Sequence, residues 1–382
     1  MTPYATFYFF IIVAVLLTPT IIAGLKGKAL HTYNAFATIV ILAIVFGNKP
    51  VQAGTLILFT IWQAALVKGY LALRKRDNKA STFYAAVFLS ILPLILVKVI
   101  PFVQPMSTVG FLGISYLTFK AVQMTMEIRD GQIKEITVFN FLRFLLFFPT
   151  ITSGPIDRYR RFQKDIEQPP TAEQYKNMLF IGINRIFQGF LYKFIIGFLI
   201  HTYILQGTFV KQDTFASILL YMYAYSLYLF FDFAGYSLFA IGVSYMMGVK
   251  TPENFNKPFL SRNIKDFWNR WHMSLSFWFR DYVYMRFVFL MTKKKILKNR
   301  YAISNIGFFL NFFIMGIWHG LHINYIIYGL YHALLFILFD IFERKNKQHK
   351  FWPNNTLTHV LAVIITFHLV CFGFLIFSGR II

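Results

Sequence analysis

Runs of about 20 consecutive apolar residues recur along nearly the whole of this 382-residue chain, and nothing else in it constrains the fold as strongly. Hydrophobic residues make up 57% of the sequence, and phenylalanine alone contributes 47. A water-soluble domain has no use for so many uninterrupted apolar runs, so the pattern describes a polytopic membrane protein. The runs are continuous rather than alternating, which argues against a β-barrel. Backbone groups inside a bilayer must be satisfied within the spanning segment, so the expected fold class is all-α.

The order of runs and charges predicts the topology. Apolar runs lie at 4–24, 33–47, 51–71, 83–100 and 107–126, the last two joined through Pro101 and Pro105. Met1–Tyr4 lacks the basic stretch of a secretory signal, so the first run is expected to stay as a span. Lys68, Arg74, Lys75, Arg76 and Lys79 mark a cytoplasmic loop after the third run, which puts the N-terminus outside. The segment 127–135 returns to the cytoplasm. Residues 138–152 are apolar but, at about 15 residues, too short to cross, which predicts a re-entrant or half-buried helix. The basic segment Arg158–Lys164 follows on the cytoplasmic side. Further runs cover 178–205, 214–248, 303–321, 323–342 and 357–378. The loop 206–213 and the C-terminus then face outward, and 343–350 faces inward. About ten crossings, with re-entrant and interfacial helices around a central funnel, are expected. No internal repeat or linker divides the chain, so 1–382 reads as a single embedded domain.

The net charge is +23 although only 14% of residues are charged. That excess suits positive-inside loops, anionic lipids and an acidic protein docking on one face. The basic residues are spread over short loops, a poor arrangement for nucleic acid, so none is expected as a partner. The one cysteine, Cys371, lies in a late apolar run and reads as a buried thiol.

The stretch 252–284 departs from the apolar pattern. It interleaves Lys257, Arg262, Lys265, Arg270 and Arg280 with Trp268, Trp271, Trp278, Tyr282 and Tyr284, which suits the membrane–water boundary. A helix over 264–289 would put His272 one helical step from Trp268 and from Ser276. A second histidine, His319, sits at the end of an apolar run in Met315-Gly316-Ile317-Trp318-His319-Gly320. Desolvation would keep it neutral and able to accept a proton, although a core histidine bonded to a carbonyl fits the same position. The small residues around it would let a backbone or a ligand come close. Asp232, within an apolar run, reads as a structural carboxylate with a cationic or hydroxyl partner, Tyr236 and Ser237 being nearest in sequence. His319, His322 and His332 have no Cys, Asp or Glu beside them, so no metal site is expected. A transporter would show internal repeats and paired broken segments, and the chain shows neither.

Taken together and in order, several blocks carry a family resemblance: Ser153-Gly154-Pro155-Ile156-Asp157-Arg158, Asp232-Phe233-Ala234-Gly235-Tyr236-Ser237, Pro252-Glu253-Asn254-Phe255-Asn256-Lys257-Pro258-Phe259, Phe267-Trp268-Asn269-Arg270-Trp271-His272, Arg280-Asp281-Tyr282 and Trp318-His319-Gly320. They resemble the membrane-bound O-acyltransferases over roughly 110–340, and most of all that family's D-alanyl transfer branch of Gram-positive bacteria. The resemblance implies that D-alanine moves from a phosphopantetheine thioester on a carrier protein toward a hydroxyl acceptor for lipoteichoic acid, across a bacterial plasma membrane. It implies catalytic roles for His319 and His272, and substrate contacts from Trp271, Ser274, Trp318 and Asn269. The motifs are shared with alginate-type O-acetyltransferases, which stay open as an alternative. No bound cofactor is implied; the D-alanyl-phosphopantetheine of the carrier is the donor. Its arm reaches about half a bilayer, roughly 15 Å, so the site should lie near mid-depth. The expected dock for an acidic carrier is the basic run Lys293, Lys294, Lys295, Lys298 and Arg300, alongside other membrane proteins of the same system and anionic lipids.

Overall fold

A computed structural model describes residues 1–104 and 110–382. It is helical, with no strand among the described residues. Pro105 and the start of the run expected at 107 lie outside them.

Among the described residues eight helices are long and apolar enough to cross a membrane: α1 (Phe7–Leu25), α3 (Pro50–Arg76), α4 (Ala80–Val103), α8 (Ala172–Leu205), α9 (Phe215–Met246), α13 (Arg300–His319), α14 (Ile323–His349) and α15 (Thr356–Ser378). Two more, α2 (His31–Phe46) and α5 (Ile114–Arg129), have 16 residues each. At 1.5 Å per residue they reach about 24 Å, less than a hydrocarbon core of about 30 Å, so the expected ten crossings depend on these two. The shorter helices are α6 (Val138–Leu145), α7 (Tyr159–Glu167), α10 (Ile264–Trp268), α11 (Met273–Phe279) and α12 (Met285–Lys294).

The chain forms two compact units, Met1–Phe190 with Gly235–Pro252, and Leu191–Ala234 with Glu253–Ile382. In the first, the N-terminal ammonium reaches the Val45 carbonyl at 3.4 Å, bringing together two segments expected on the same side. The eight-residue α6 is too short to cross, in agreement with its short apolar run. Its last carbonyls would be orphaned in an apolar setting. Lys120, on α5, meets them: its ammonium donates to Phe144 O at 3.3 Å, Leu145 O at 3.4 Å and Thr150 Oγ1 at 2.9 Å. The 153–158 block leads into α7, where Arg161 pairs with the buried Asp157 and with Asp165 at 2.8 Å. Tyr236 goes to the Thr152 hydroxyl.

In the second unit, Asp232 pairs with a cation, Lys193 on α8. Arg380, past the end of α15, donates to Gln212 O and Asp213 Oδ1, both at 2.9 Å, which joins two segments expected outside. Lys265 on α10 donates to Asp340 at 3.1 Å and Glu343 at 3.0 Å on α14, joining two expected inside. Cys371 is fully buried.

The hairpin α13–α14 carries His319 at its turn, and small residues let its helices touch. A methyl group on Gly329 would sit 2.4 Å from the Phe312 carbonyl oxygen and 3.2 Å from the Gly316 Cα. Both are backbone atoms, so they yield only if the helices part. Gly329→Ala is therefore expected to destabilise the protein by about 1–3 kcal/mol. Leu334→Ala on the exposed face of α14 should be near neutral. Thermal unfolding in one detergent compares them, and a Gly329→Ala protein as stable as wild type would refute close packing here.

Candidate active site

The stretch expected as one helix over 264–289 is not one. α10 stops at Trp268, a turn follows, and α11 starts at Met273. After α11 the chain makes a π-helical turn, Arg280–Tyr284, before α12. His272 stands at the break with φ 42° and ψ 51°, a left-handed conformation that is strained for a residue with a Cβ. The cause lies upstream. Met273 N–H donates to Asn254 O, and Asn256 N–H to Arg270 O, both at 2.9 Å. The fully buried Asn254 also uses its side chain, accepting the Ser274 hydroxyl at 2.6 Å. The segment 254–256 thus clasps 270–274 and forces the turn that presents His272.

His272 is 5% exposed, and its ring meets Phe233 edge-on with centroids 4.6 Å apart. It lies between the spans, and burial pushes its imidazole well below the ordinary value, with the His319 imidazole adding to the effect. His319 therefore sits near enough to act on it. His319 ends α13 inside an aromatic cage, with ring centroids at 4.6 Å to Trp318, 5.0 Å to Phe377, 6.0 Å to Tyr328 and 6.3 Å to Tyr325. The neighbouring small residues serve this cage. A methyl on Gly320 would sit 2.5 Å from the Tyr325 ring, and one on Gly316 2.6 Å from the Tyr325 carbonyl. They admit the protein's own α14 rather than a ligand.

Of the other expected contacts, Trp318 packs on His319. Trp271 is 4% exposed and lies among Phe267, Phe255 and Phe374, with centroids at 5.6, 5.1 and 4.7 Å. Ser274 is bonded to Asn254, and Asn269 is exposed at the end of α10. The basic run at 293–300 spans the last two residues of α12 and the first of α13; its five cations are exposed, and none forms an ion pair among the described residues.

Two residues were not legible as site components. Asn254 is one. The other is His332, fully buried on α14, whose Nδ1 accepts the Trp268 indole N–H at 3.3 Å. That bond leaves the ring proton on Nε2, and His319 acts electrostatically on this ring as well. The i, i+4 spacing of Tyr328 and His332 on one helix face was the available signal, and their rings do meet, at 4.6 Å. Among the described residues no three His, Cys, Asp or Glu side chains cluster as metal ligands.

A deeply buried imidazole with a second imidazole near enough to act on it, in a largely apolar surround, suits proton transfer to and from a hydroxyl, with an N–H donor for a carbonyl oxygen. Residues 54–377 match the membrane-bound O-acyltransferase family. The chain is 58% identical over 389 residues to the teichoic acid D-alanyltransferase of Bacillus subtilis (strain 168), covering 100% of this chain and 98% of that protein. It is 45% identical over 397 residues to the teichoic acid D-alanyltransferase of Lacticaseibacillus rhamnosus, covering 99% and 97%. A probable alginate O-acetylase AlgI of Pseudomonas syringae pv. tomato is 30% identical over 276 residues, covering 70% of this chain and 49% of that protein.

Proposed function

The chain belongs to the membrane-bound O-acyltransferase family, and from that membership we propose that it transfers D-alanine from a carrier-bound thioester to a hydroxyl acceptor in teichoic acid D-alanylation. It is a multi-pass acyltransferase of the bacterial membrane. The observation that carries the reading is the paired presentation of His272 and His319, one by a strained turn and one by the end of α13, in a chain that matches D-alanyltransferases along its full length.

A thioester is already activated, so the protein's task is to position and deprotonate. His319 takes the proton of the acceptor hydroxyl while that oxygen attacks the thioester carbonyl. His272 donates its N–H to the carbonyl oxygen as charge builds there. The carbon–sulfur bond breaks, the proton passes from His319 to the departing phosphopantetheine thiolate, and a D-alanyl ester remains. No acyl-histidine is needed. His332, held by Trp268, stands behind this pair as a positioning residue.

The donor is D-alanyl-phosphopantetheine on an acidic carrier, docking on Lys293, Lys294, Lys295, Lys298 and Arg300. Their shared exposure and lack of ion pairs support this. Reversing Lys293, Lys294 and Lys298 to Glu should weaken carrier binding by about tenfold or more in detergent. A free pantetheine thioester should still react at the wild-type rate. Carrier on-rates should also fall with added salt, as the Debye length shrinks below about 10 Å. Affinity that survives both changes would move the dock elsewhere. Transfer itself is tested by supplying membranes with D-alanyl carrier and searching for the alanylated product; none would defeat the assignment.

A further inference from the structure

The first unit holds a cavity of about 140 Å³, away in sequence from both catalytic histidines. Its wall is apolar, with Ile39, Phe139, Leu142 and Phe147 among its residues, and it carries one guanidinium, Arg143, and one imidazole, His31. Among the described residues no Asp or Glu lines it. Arg143 extends from α6 and His31 opens α2. Their nitrogens are poorly served. Arg143 Nε and Nη2, and both ring nitrogens of His31, are buried and make no well-formed hydrogen bond. The Ile166 carbonyl lies beside the imidazole without meeting that geometry, and the guanidinium packs on the Phe139 ring at 5.3 Å. Arg143 also acts electrostatically on His31, so the guanidinium and the imidazole lie close to one another. The acids on either side of the lining residue Ile166 are engaged elsewhere. Asp165 takes Arg161 at 2.8 Å and the Lys250 N–H at 2.7 Å, and Glu167 takes Gln163 at 2.8 Å.

Buried guanidinium nitrogens without an acceptor are costly, and an anion with several oxygens would satisfy them. The apolar wall excludes a freely hydrated ion and suits a chain of methylenes. The charge pattern places this end of α2, next to Lys26 and Lys28, on the cytoplasmic side. We propose that the cavity binds the phosphate of an anionic phospholipid from the cytoplasmic leaflet. Arg143 and His31 hold phosphate oxygens, and the adjoining acyl chain lies against Phe139 and Leu142. A free phosphate offers the same oxygens without the tail.

The test uses the full chain, purified and stripped of lipid in detergent, with thermal unfolding and native mass spectrometry as readouts. Dioleoylphosphatidylglycerol, dioleoylphosphatidylcholine and inorganic phosphate are titrated separately. Phosphatidylglycerol should bind at least about tenfold more tightly than phosphatidylcholine and raise the unfolding temperature. Arg143→Gln and His31→Gln should each erase most of that preference. Arg143→Lys, which keeps the charge and loses the fork, should keep part of it and serves if Arg143→Gln does not fold. Equal binding of the two lipids, or a preference untouched in both Gln variants, would overturn the site. Full protection by inorganic phosphate alone would overturn the lipid assignment in favour of a soluble anion.

Discussion

His319→Ala is expected to lower D-alanyl transfer by about 10²–10⁴-fold, the contribution of a positioned general base, while the protein still inserts and unfolds near the wild-type temperature. The change removes only a side chain at the last residue of α13, and Trp318, Tyr328 and Phe377 still frame the space. His319→Gln fills more of the cage without supplying a base near neutrality, and should be as inactive as the alanine variant. Ester formation from D-alanyl carrier, measured beside thermal unfolding, separates loss of chemistry from loss of fold. Near-normal transfer in either variant would remove His319 from the mechanism.

The second large effect concerns His272, where backbone and side chain make separable demands. Its φ of 42° favours glycine, so His272→Gly should relieve strain that His272→Ala keeps, and should be the more stable of the two by about 1 kcal/mol. Both lose the N–H proposed to meet the acyl oxygen. Removing one such donor lowers turnover by about 10²–10³-fold, so both variants should be similarly slow despite different stabilities. If His272→Gly instead transfers at the wild-type rate, the residue serves only the turn. Rate and unfolding temperature on the same three preparations decide it.

The spans were legible in the sequence because each apolar run specifies its own helix. So was the shortness of the 138–152 element, since length alone forbids a crossing. The broken helix at 269–272 was not, because the turn is imposed by Asn254 from 18 residues before His272 in the chain. Local periodicity has no access to such a clasp. The partner of Asp232 escaped for a like reason: hydroxyls at 236 and 237 are near in sequence, but Lys193 is near in space. The glycines beside His319 were visible as a request for close approach, yet what approaches is Tyr325 and Gly329 of the neighbouring helix. His332 drew attention only as a possible metal ligand. Its bond from Trp268 depends on two helices meeting, which no run of residues announces.

The most direct test of D-alanyl transfer by this chain is a reconstitution. Proteoliposomes containing wild-type or His319→Ala protein receive carrier charged with radiolabelled D-alanine, together with a hydroxyl-bearing teichoic acid acceptor. The expected result is ester-linked, hydroxylamine-labile label on the acceptor with the wild-type protein, and at most about a hundredth as much with the variant. Label that stays on the carrier, or that reaches the acceptor equally in both, contradicts it.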